Sequence, residues 1–474
     1  MNIILNRIKK EFSKNPDLII KELNFSLFKQ IYIVYLETVT GSDKVNNYIL
    51  KVLINSENNK INKKTLNSFL AGPNTKKLDN PDKIEFYLTN GFTIILLDNY
   101  IYAVETKADL TRSITSNEKE LSINGPKDSF TENIQTNIGL VKRRIKTSTL
   151  KFDNRFVGRI TNTLVSVAYF EDIADPSLVN NILKKLDLID IDIIVDSSSL
   201  AYLLDGENKT VFPTTQYSER PDDVVISLSR GKIAIFVDTS PFVLIIPAFF
   251  IDFINPKSDN YSKSININLL KVLRLLAFFV AVMTPAIYNA LMSYNPESIP
   301  TNLLINFAVQ RQGVPFPIIV ETVIMLLICD VLRESNLRIP SGFGSTVSIL
   351  GAIIIGEAAV RAGIVSPIMI IIIALTFIFG LVFNDIEINY AIKHFSLVFL
   401  FFSSILGLYG IILAFIYFLI IVCSTNSYGL PYSFPFAPFD KTYFYNTVLK
   451  KELKKDTKRS TMLTKKNITK QGEN

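Results

Sequence analysis

The stretch "SILGAIIIGEAAVRAGIVSP", residues 348–367, is an apolar run interrupted by one acid, Glu357, and one base, Arg361. Without them it would read as a membrane helix. An ionised side chain at the centre of a bilayer costs about 2.5–3.5 kcal/mol even on the most lenient scale. The segment must therefore be shielded by protein or line a watery path.

On a helical wheel of about 100° per residue, Ser348, Ala352, Gly356, Ala359 and Gly363 gather on one face. A ridge of small residues lets a second helix approach closely. Glu357 and Arg361 fall almost opposite, acid first at i, i+4, the favourable order for a helical ion pair. Ile349, Ile353, Val360 and Ile364 lie between the two faces. An apolar ring beside charges is what a dewetting gate requires. One chain cannot form a ring, so this reading demands an oligomer. The alternative is a pair that neutralises itself inside a packed bundle, and the residues alone leave both open. Glu321 and Asp330 are further acids in apolar surroundings; they favour a pathway or else sit at the interface.

The 474 residues are 48% hydrophobic, unevenly spread. Composition divides the chain into an α+β cytoplasmic subdomain over 1–145, an α/β subdomain over 146–240, an all-α polytopic membrane domain over 241–425 and a basic cytoplasmic tail over 426–474. In the head, 31–39, 162–170, 191–196 and 232–238 read as strands, 86–106 as strands joined by turns, and 176–188 as a helix opened by Pro. A spanning helix needs about 20 apolar residues. Crossings at 269–292, 316–332, 364–383 and 395–423 satisfy this roughly and keep head and tail on one side, with six crossings as the variant. Residues 242–254 would form an interfacial elbow helix, and 345–362 a re-entrant or internal one.

The N-terminal residues lack a signal-like apolar core followed by a small-residue cleavage site, so the head is expected on the cytoplasmic side. Two cysteines and one histidine, all in or beside apolar segments, offer neither a disulfide framework nor a metal site, and no cofactor is expected. The net charge of +7 is concentrated in residues 450–470 beside the membrane part. That placement favours anionic headgroups on the cytoplasmic side over nucleic acid. No nucleophile–base arrangement has recognisable context, since Ser197, Ser198 and Ser199 follow a strand and suit a helix cap. An enzyme is not expected.

In "SERPDD", Pro221 fixes the backbone, while Glu219, Arg220 and Asp222 suit either an internal brace or a subunit contact, with Glu321 a fourth contact candidate. "NGPKDSFTENIQTNIGLVKRRIKT" (124–147), "FPTTQYSERPDD" (212–223), "VDTSPFVLIIPAFFIDF" (237–253), "SDNY" (258–261), "GVPFPIIVE" (313–321), "LRESNLRIP" (332–340), the opening stretch and "SYGLPYSFPFAP" (427–438) occur in order. Together they resemble the A subunit of the GerA family of bacterial spore germination receptors. The resemblance implies a multi-pass protein of the spore inner membrane, head and tail on the core side. Its implied partners are a transporter-like B subunit, a C lipoprotein and the lipid bilayer. It also implies a homo-oligomer, a pentamer being one candidate ring, that conducts ions when a nutrient binds. A secondary transporter would need half-chain symmetry, which is not evident; a membrane-anchored scaffold is the other rival.

Overall fold

The computed structural model describes residues 2–26, 29–55, 74–97, 100–109, 125–206, 210–338, 356–383 and 385–470. Ser348, Ile349, Ala352 and Ile353 lie outside them.

The head holds two five-stranded sheets. The first joins β1 (Leu18–Ser26), β2 (Lys29–Leu36), β3 (Thr75–Leu78), β4 (Phe92–Leu97) and β5 (Tyr100–Glu105) in the order β1-β2-β4-β5-β3. Successive side chains of a strand point to opposite faces, so β2 feeds two cores. Val34 and Leu36 meet Leu5 and Ile8 of helix α1 (Asn2–Glu11) and Phe12 just after it, while Ile31, Ile33 and Tyr35 meet Val45, Ile49 and Leu53.

The second sheet orders β6 (Leu150–Val157), β7 (Thr163–Phe170), β8 (Gln216–Ser218), β9 (Ile233–Val237) and β10 (Val243–Ile246) as β6-β7-β9-β10-β8. Helices α2 (Ile134–Arg144), α3 (Pro176–Asp187), α4 (Ser197–Asp205) and α5 (Pro221–Ser229) cover it, α3 and α4 on the face of Val165 and Val167, α2 and α5 on that of Ala168 and Phe170.

The head departs from expectation in several places. Every pairing in both sheets is antiparallel, so the second unit is α+β rather than α/β. A strand–helix–strand rhythm does not fix direction. Helix α2 packs on Phe152 and Phe236 of the second core, which draws residues 134–144 out of the first unit. The Lys142 ammonium on α2 bonds Asp17 of the first unit at 2.6 Å, both buried, and ties the units together. Residues 84–89 form a helical turn rather than a strand, 191–196 form no strand, and 243–246 are strand β10 rather than part of an elbow helix. Asp196, not a serine, caps α4, accepting from the Ser199 N–H at 2.9 Å.

The helical part comprises α6 (Ser264–Ser293), α7 (Thr301–Arg311), α8 (Ile318–Arg338), a helical segment at 356–361, α9 (Pro367–Gly380), α10 (Ile386–Leu406) and α11 (Leu408–Ser424). Only α6 and α10 are long and apolar enough among the described residues to cross a membrane. The single span expected at 395–423 is instead two packed helices, because Gly407 turns the chain with φ +60°, a conformation that side chains disfavour. Helix α6 packs against α8, α9, α10 and α11.

Head, helices and C-terminal residues share one core. Phe212 of the head stacks on Phe395 of α10 at 5.1 Å and meets Phe250, Phe418 and Tyr432 edge-on or tilted. Phe434, Tyr443 and Leu463 join the same cluster. The basic tail, expected to meet headgroups, instead lies on the protein. The Lys450 ammonium donates to the carbonyls of Asp259, Asn260 and Ser262 at 2.7–2.8 Å, and Arg459 donates to the Ser229 carbonyl. Carbonyls left over at the turn Lys257–Tyr261 need donors, and the tail supplies them.

Truncating a buried Phe costs about 3–5 kcal/mol. Phe212→Ala is expected to lower the thermal unfolding midpoint of the detergent-solubilised chain, head and helices together. Near-ultraviolet and far-ultraviolet circular dichroism should shift by the same amount; a shift in the helical signal alone would contradict the shared core.

Candidate functional site

The apolar region holds few charges, and the structure shows how several of them are managed. Glu321, in the first turn of α8, is fully buried. Its Oε1 accepts from both the N–H and the hydroxyl of Ser366 at 2.6 Å. Ser366 precedes Pro367, the first residue of α9, so a carboxylate sits where the helix dipole welcomes it. Arg311, at the end of α7, approaches Glu321 Oε2 at 3.7 Å. Glu321 Oε2, Arg311 Nε and the Tyr288 hydroxyl are all buried with no hydrogen-bond partner among the described residues. Its carboxylate is enclosed by its own chain, which leaves it no surface for the subunit contact weighed for Glu321.

The charge-bearing helix is anchored at this knot. Residues 356–361 are helical and end in a turn at Gly363, whose φ is +67°. A Cβ at Gly363 would fall 2.9 Å from the Gly313 carbonyl, so the contact needs glycine. Gly363 is therefore a stop after the helix, not part of a packing ridge. Ala359 of that ridge is buried with Tyr288, Met325 and Met369, and Gly356 approaches Ile370. Val360 packs partly on the same cluster, whereas Ile364 lies beyond the helix end and is exposed. Arg361 and Glu357 pair at 2.5 Å as their spacing predicts, yet their side chains remain 78% and 59% exposed. No described residue buries them.

A third ion pair joins Asp330 of α8 to Lys393 of α10 at 2.7 Å. Arg311, Ser366, Tyr288 and Lys393 escaped the sequence reading. A lone base between apolar helices was the available signal for Arg311 and Lys393; nothing local marks Ser366 or Tyr288.

The residues of "SERPDD" brace the head on the turn Lys257–Tyr261 that precedes the first long helix. Arg220 is 1% exposed and forks onto both Asp222 oxygens, Nη2 at 2.7 Å and Nε at 3.1 Å. The Tyr261 hydroxyl donates to the same carboxylate and its ring lies 5.9 Å from the guanidinium. Burial alone would raise the Asp222 carboxyl, but the bonds from Arg220 and Tyr261 outweigh it and hold it below the usual aspartate value. Burial, then the bond to Asp222, pushes Tyr261 up to about 12. Arg220 and Asp222 are thus committed inside one chain, which removes them as subunit contacts. Glu219 is half-buried, and its carbonyl accepts from the Phe130 N–H at 2.8 Å.

Nearby, Arg274 holds Asp259 at 2.6 Å, Lys271 donates to the Thr447 carbonyl at 2.6 Å and Lys232 pairs with Asp252 at 2.6 Å. Head, α6 and tail therefore meet through a row of buried charges. Among the described residues no group of three metal-ligating side chains converges.

Residues 6–462 match the family described as Bacillus/Clostridium GerA spore germination protein. The chain is 34% identical to spore germination protein KA of Bacillus subtilis (strain 168) over 471 residues, covering 98% of this chain and 87% of that protein. It is 33% identical over 429 residues to the uncharacterized membrane protein YfkQ of the same organism, covering 90% and 84%. The crystal structure of the N-terminal domain of the A subunit of the Bacillus megaterium spore germinant receptor GerK3 is similar over 52% of this chain and 94% of that one, at 30% identity and a TM-score of 0.41.

Removing one partner of a buried pair costs about 3–5 kcal/mol because the other charge is stranded. Arg220→Ala is expected to destabilise the isolated subunit by that amount in thermal unfolding; unchanged stability with lost assembly would instead mark an intersubunit role. Because the Asp222 carboxyl is depressed in the folded state, its contribution is complete above the ordinary aspartate value and is lost as pH falls through the folded one. The gap in unfolding midpoint between wild type and Asp222→Asn should therefore be widest near neutrality and narrow below about pH 4.

Proposed function

The chain belongs to the GerA family of Bacillus/Clostridium spore germination proteins, and from that premise we propose that it is the A subunit of a nutrient-germinant receptor whose helical part assembles with further copies around an ion path. The observation that carries this reading is the Glu357–Arg361 pair. It sits in an apolar helical region, and the described residues of its own chain leave both side chains mostly exposed. Lipid is an unfavourable neighbour for either charge, so water or another subunit must complete their surroundings. A ring of these helices supplies both, with the pairs toward a shared aqueous axis.

Val360 stands beside the pair, one residue from Arg361 and half-buried on the cluster that includes Ala359 and Met369. In a ring it would close the path by dewetting. Glu321 and Gly363 fix the far end of the same helix, so a shift of α7 or α8 would be transmitted to it. The head, joined to α10 through Phe212 and Phe395, couples the cytoplasmic side to the same bundle. On this reading the membrane is the spore inner membrane, with head and tail on the core side. A B subunit holds the nutrient and a C lipoprotein completes the receptor. Ligand binding shifts a pre-existing balance between shut and open rings.

The test is ion flux. Liposomes loaded with potassium and carrying the full receptor should hold their ions until nutrient is added. Val360→Ser should raise the leak without nutrient about tenfold, the effect of moving the shut–open balance by about 1.4 kcal/mol. Glu321→Gln should also change basal leak, since it weakens the anchor of the turn. Ion-tight liposomes with both variants, from receptor that still binds nutrient, would overturn the gate assignment.

A further inference from the structure

A cavity of about 150 Å³ lies among α6, α8, α9 and α10. Its walls are apolar, including Leu326, Ile373, Phe377 and Ile392. A dry cavity of this size and lining holds a benzene-sized apolar group. Leu327 and Leu397, which also line it, are exposed, so it opens between α8 and α10.

Its polar lining is ordered along one face of α10. Asn389, Lys393 and Ser396 follow at i, i+4 and i+7, rising about 6 Å and about 10 Å from the first. Asn389 comes first on the head side, because α10 runs alongside α6: Ser403 near its end bonds Asn289 near the end of α6, whose opening turns carry the head-side contacts of Lys271 and Arg274. The Asn389 amide nitrogen donates to the carbonyls of Phe383 and Asp385 at 2.9 Å, which fixes the side chain and leaves Oδ1 buried with no donor. Lys393 is half-exposed at the rim and pairs with Asp330 at 2.7 Å. Arg333, stacked 5.0 Å over Phe377, lines the cavity as well. Two bases against one acid leave a single positive charge in excess. Deeper, the Ser396 hydroxyl is buried and has no partner among the described residues.

From the head inward the groups are therefore an unfilled acceptor, a net positive charge, an unfilled hydroxyl and an apolar chamber. An anionic glycerophospholipid presents the complementary groups in that order: a headgroup hydroxyl, a phosphate, an ester carbonyl and an acyl chain. We propose that this cavity binds an anionic phospholipid with a hydroxyl-bearing headgroup, taken from the head-side leaflet. Anionic lipids concentrate in the cytoplasmic leaflet, and basic pockets between helices on that side hold their headgroups. The lipid would then occupy the space between α8, which carries Glu321, and α10, which packs on the head. The inference rests on the membrane-embedded reading of the helical part.

The experiment uses the full-length protein in phosphatidylcholine nanodiscs containing phosphatidylglycerol as a minor component, with retained lipid measured by native mass spectrometry after detergent exchange. Phosphatidylglycerol should be retained in preference to phosphatidylcholine. Lys393→Gln should weaken retention about tenfold, as loss of about 1.4 kcal/mol does. Leu397→Trp, which fills the mouth and leaves the charges in place, should abolish it. Asn389→Ala should erase the preference for phosphatidylglycerol over phosphatidic acid, whose headgroup has no alcohol. Should Leu397→Trp fail to elute as a folded particle, Ser396→Leu fills the chamber from within instead of at its mouth. No enrichment over phosphatidylcholine, or equal displacement by hexanoate or by inorganic phosphate, overturns the proposal. Alkaline carbonate extraction of membranes separates the two premises: a released chain sinks the membrane reading, whereas a retained chain without lipid preference sinks only this site.

Discussion

Leaving a charge unpartnered in an apolar medium costs more than any single contact returns, and this constraint organises the helical half of the molecule. Glu321 is buried but rests on the N-terminal dipole of a helix and two donors from Ser366. Asp330 takes Lys393. At the head-side end of α6, Arg274 takes Asp259 and Lys271 takes a backbone carbonyl of the tail. Glu357 and Arg361 satisfy each other but not their surroundings.

The second organising fact is that the head is not a separable passenger. Phe212 is inserted among Phe395, Phe418 and Tyr432, so the second sheet, α10, α11 and the tail share one aromatic core. Protein interiors are close-packed and shift between discrete arrangements rather than bending smoothly. A displacement of the head is thus felt by the helices, and the buried ion pairs at the α6 junction give the interface a defined register. The tail reinforces it, since Lys450 closes the carbonyls of the turn that precedes α6.

The sequence was most legible where a local rule had no competitor. Period-two runs such as "IYIVYLETV" and "NTLVSVAYF" gave strands, the i, i+4 spacing gave the Glu357–Arg361 pair, and Pro176 opened a helix. It was least legible where partners lie far apart in the chain. Arg220 looks exposed in a charged hexapeptide, yet Tyr261 and the fold of α5 bury it. The span expected over 395–423 is uniformly apolar, and only the sign of one backbone angle at Gly407 divides it.

By itself, then, the sequence determined the apolar character of the second half, the paired charges within it and, through its ordered motifs, the family. Those properties are local or compositional, and each residue carries its share. Tertiary structure alone decided the antiparallel direction of both sheets, the return of the basic tail onto the head, the enclosure of Glu321 by Ser366 and Arg311, and the cavity between α8 and α10. Each of these joins segments distant in sequence, and which of many chemically acceptable partners is chosen depends on how the elements pack, not on the side chains themselves.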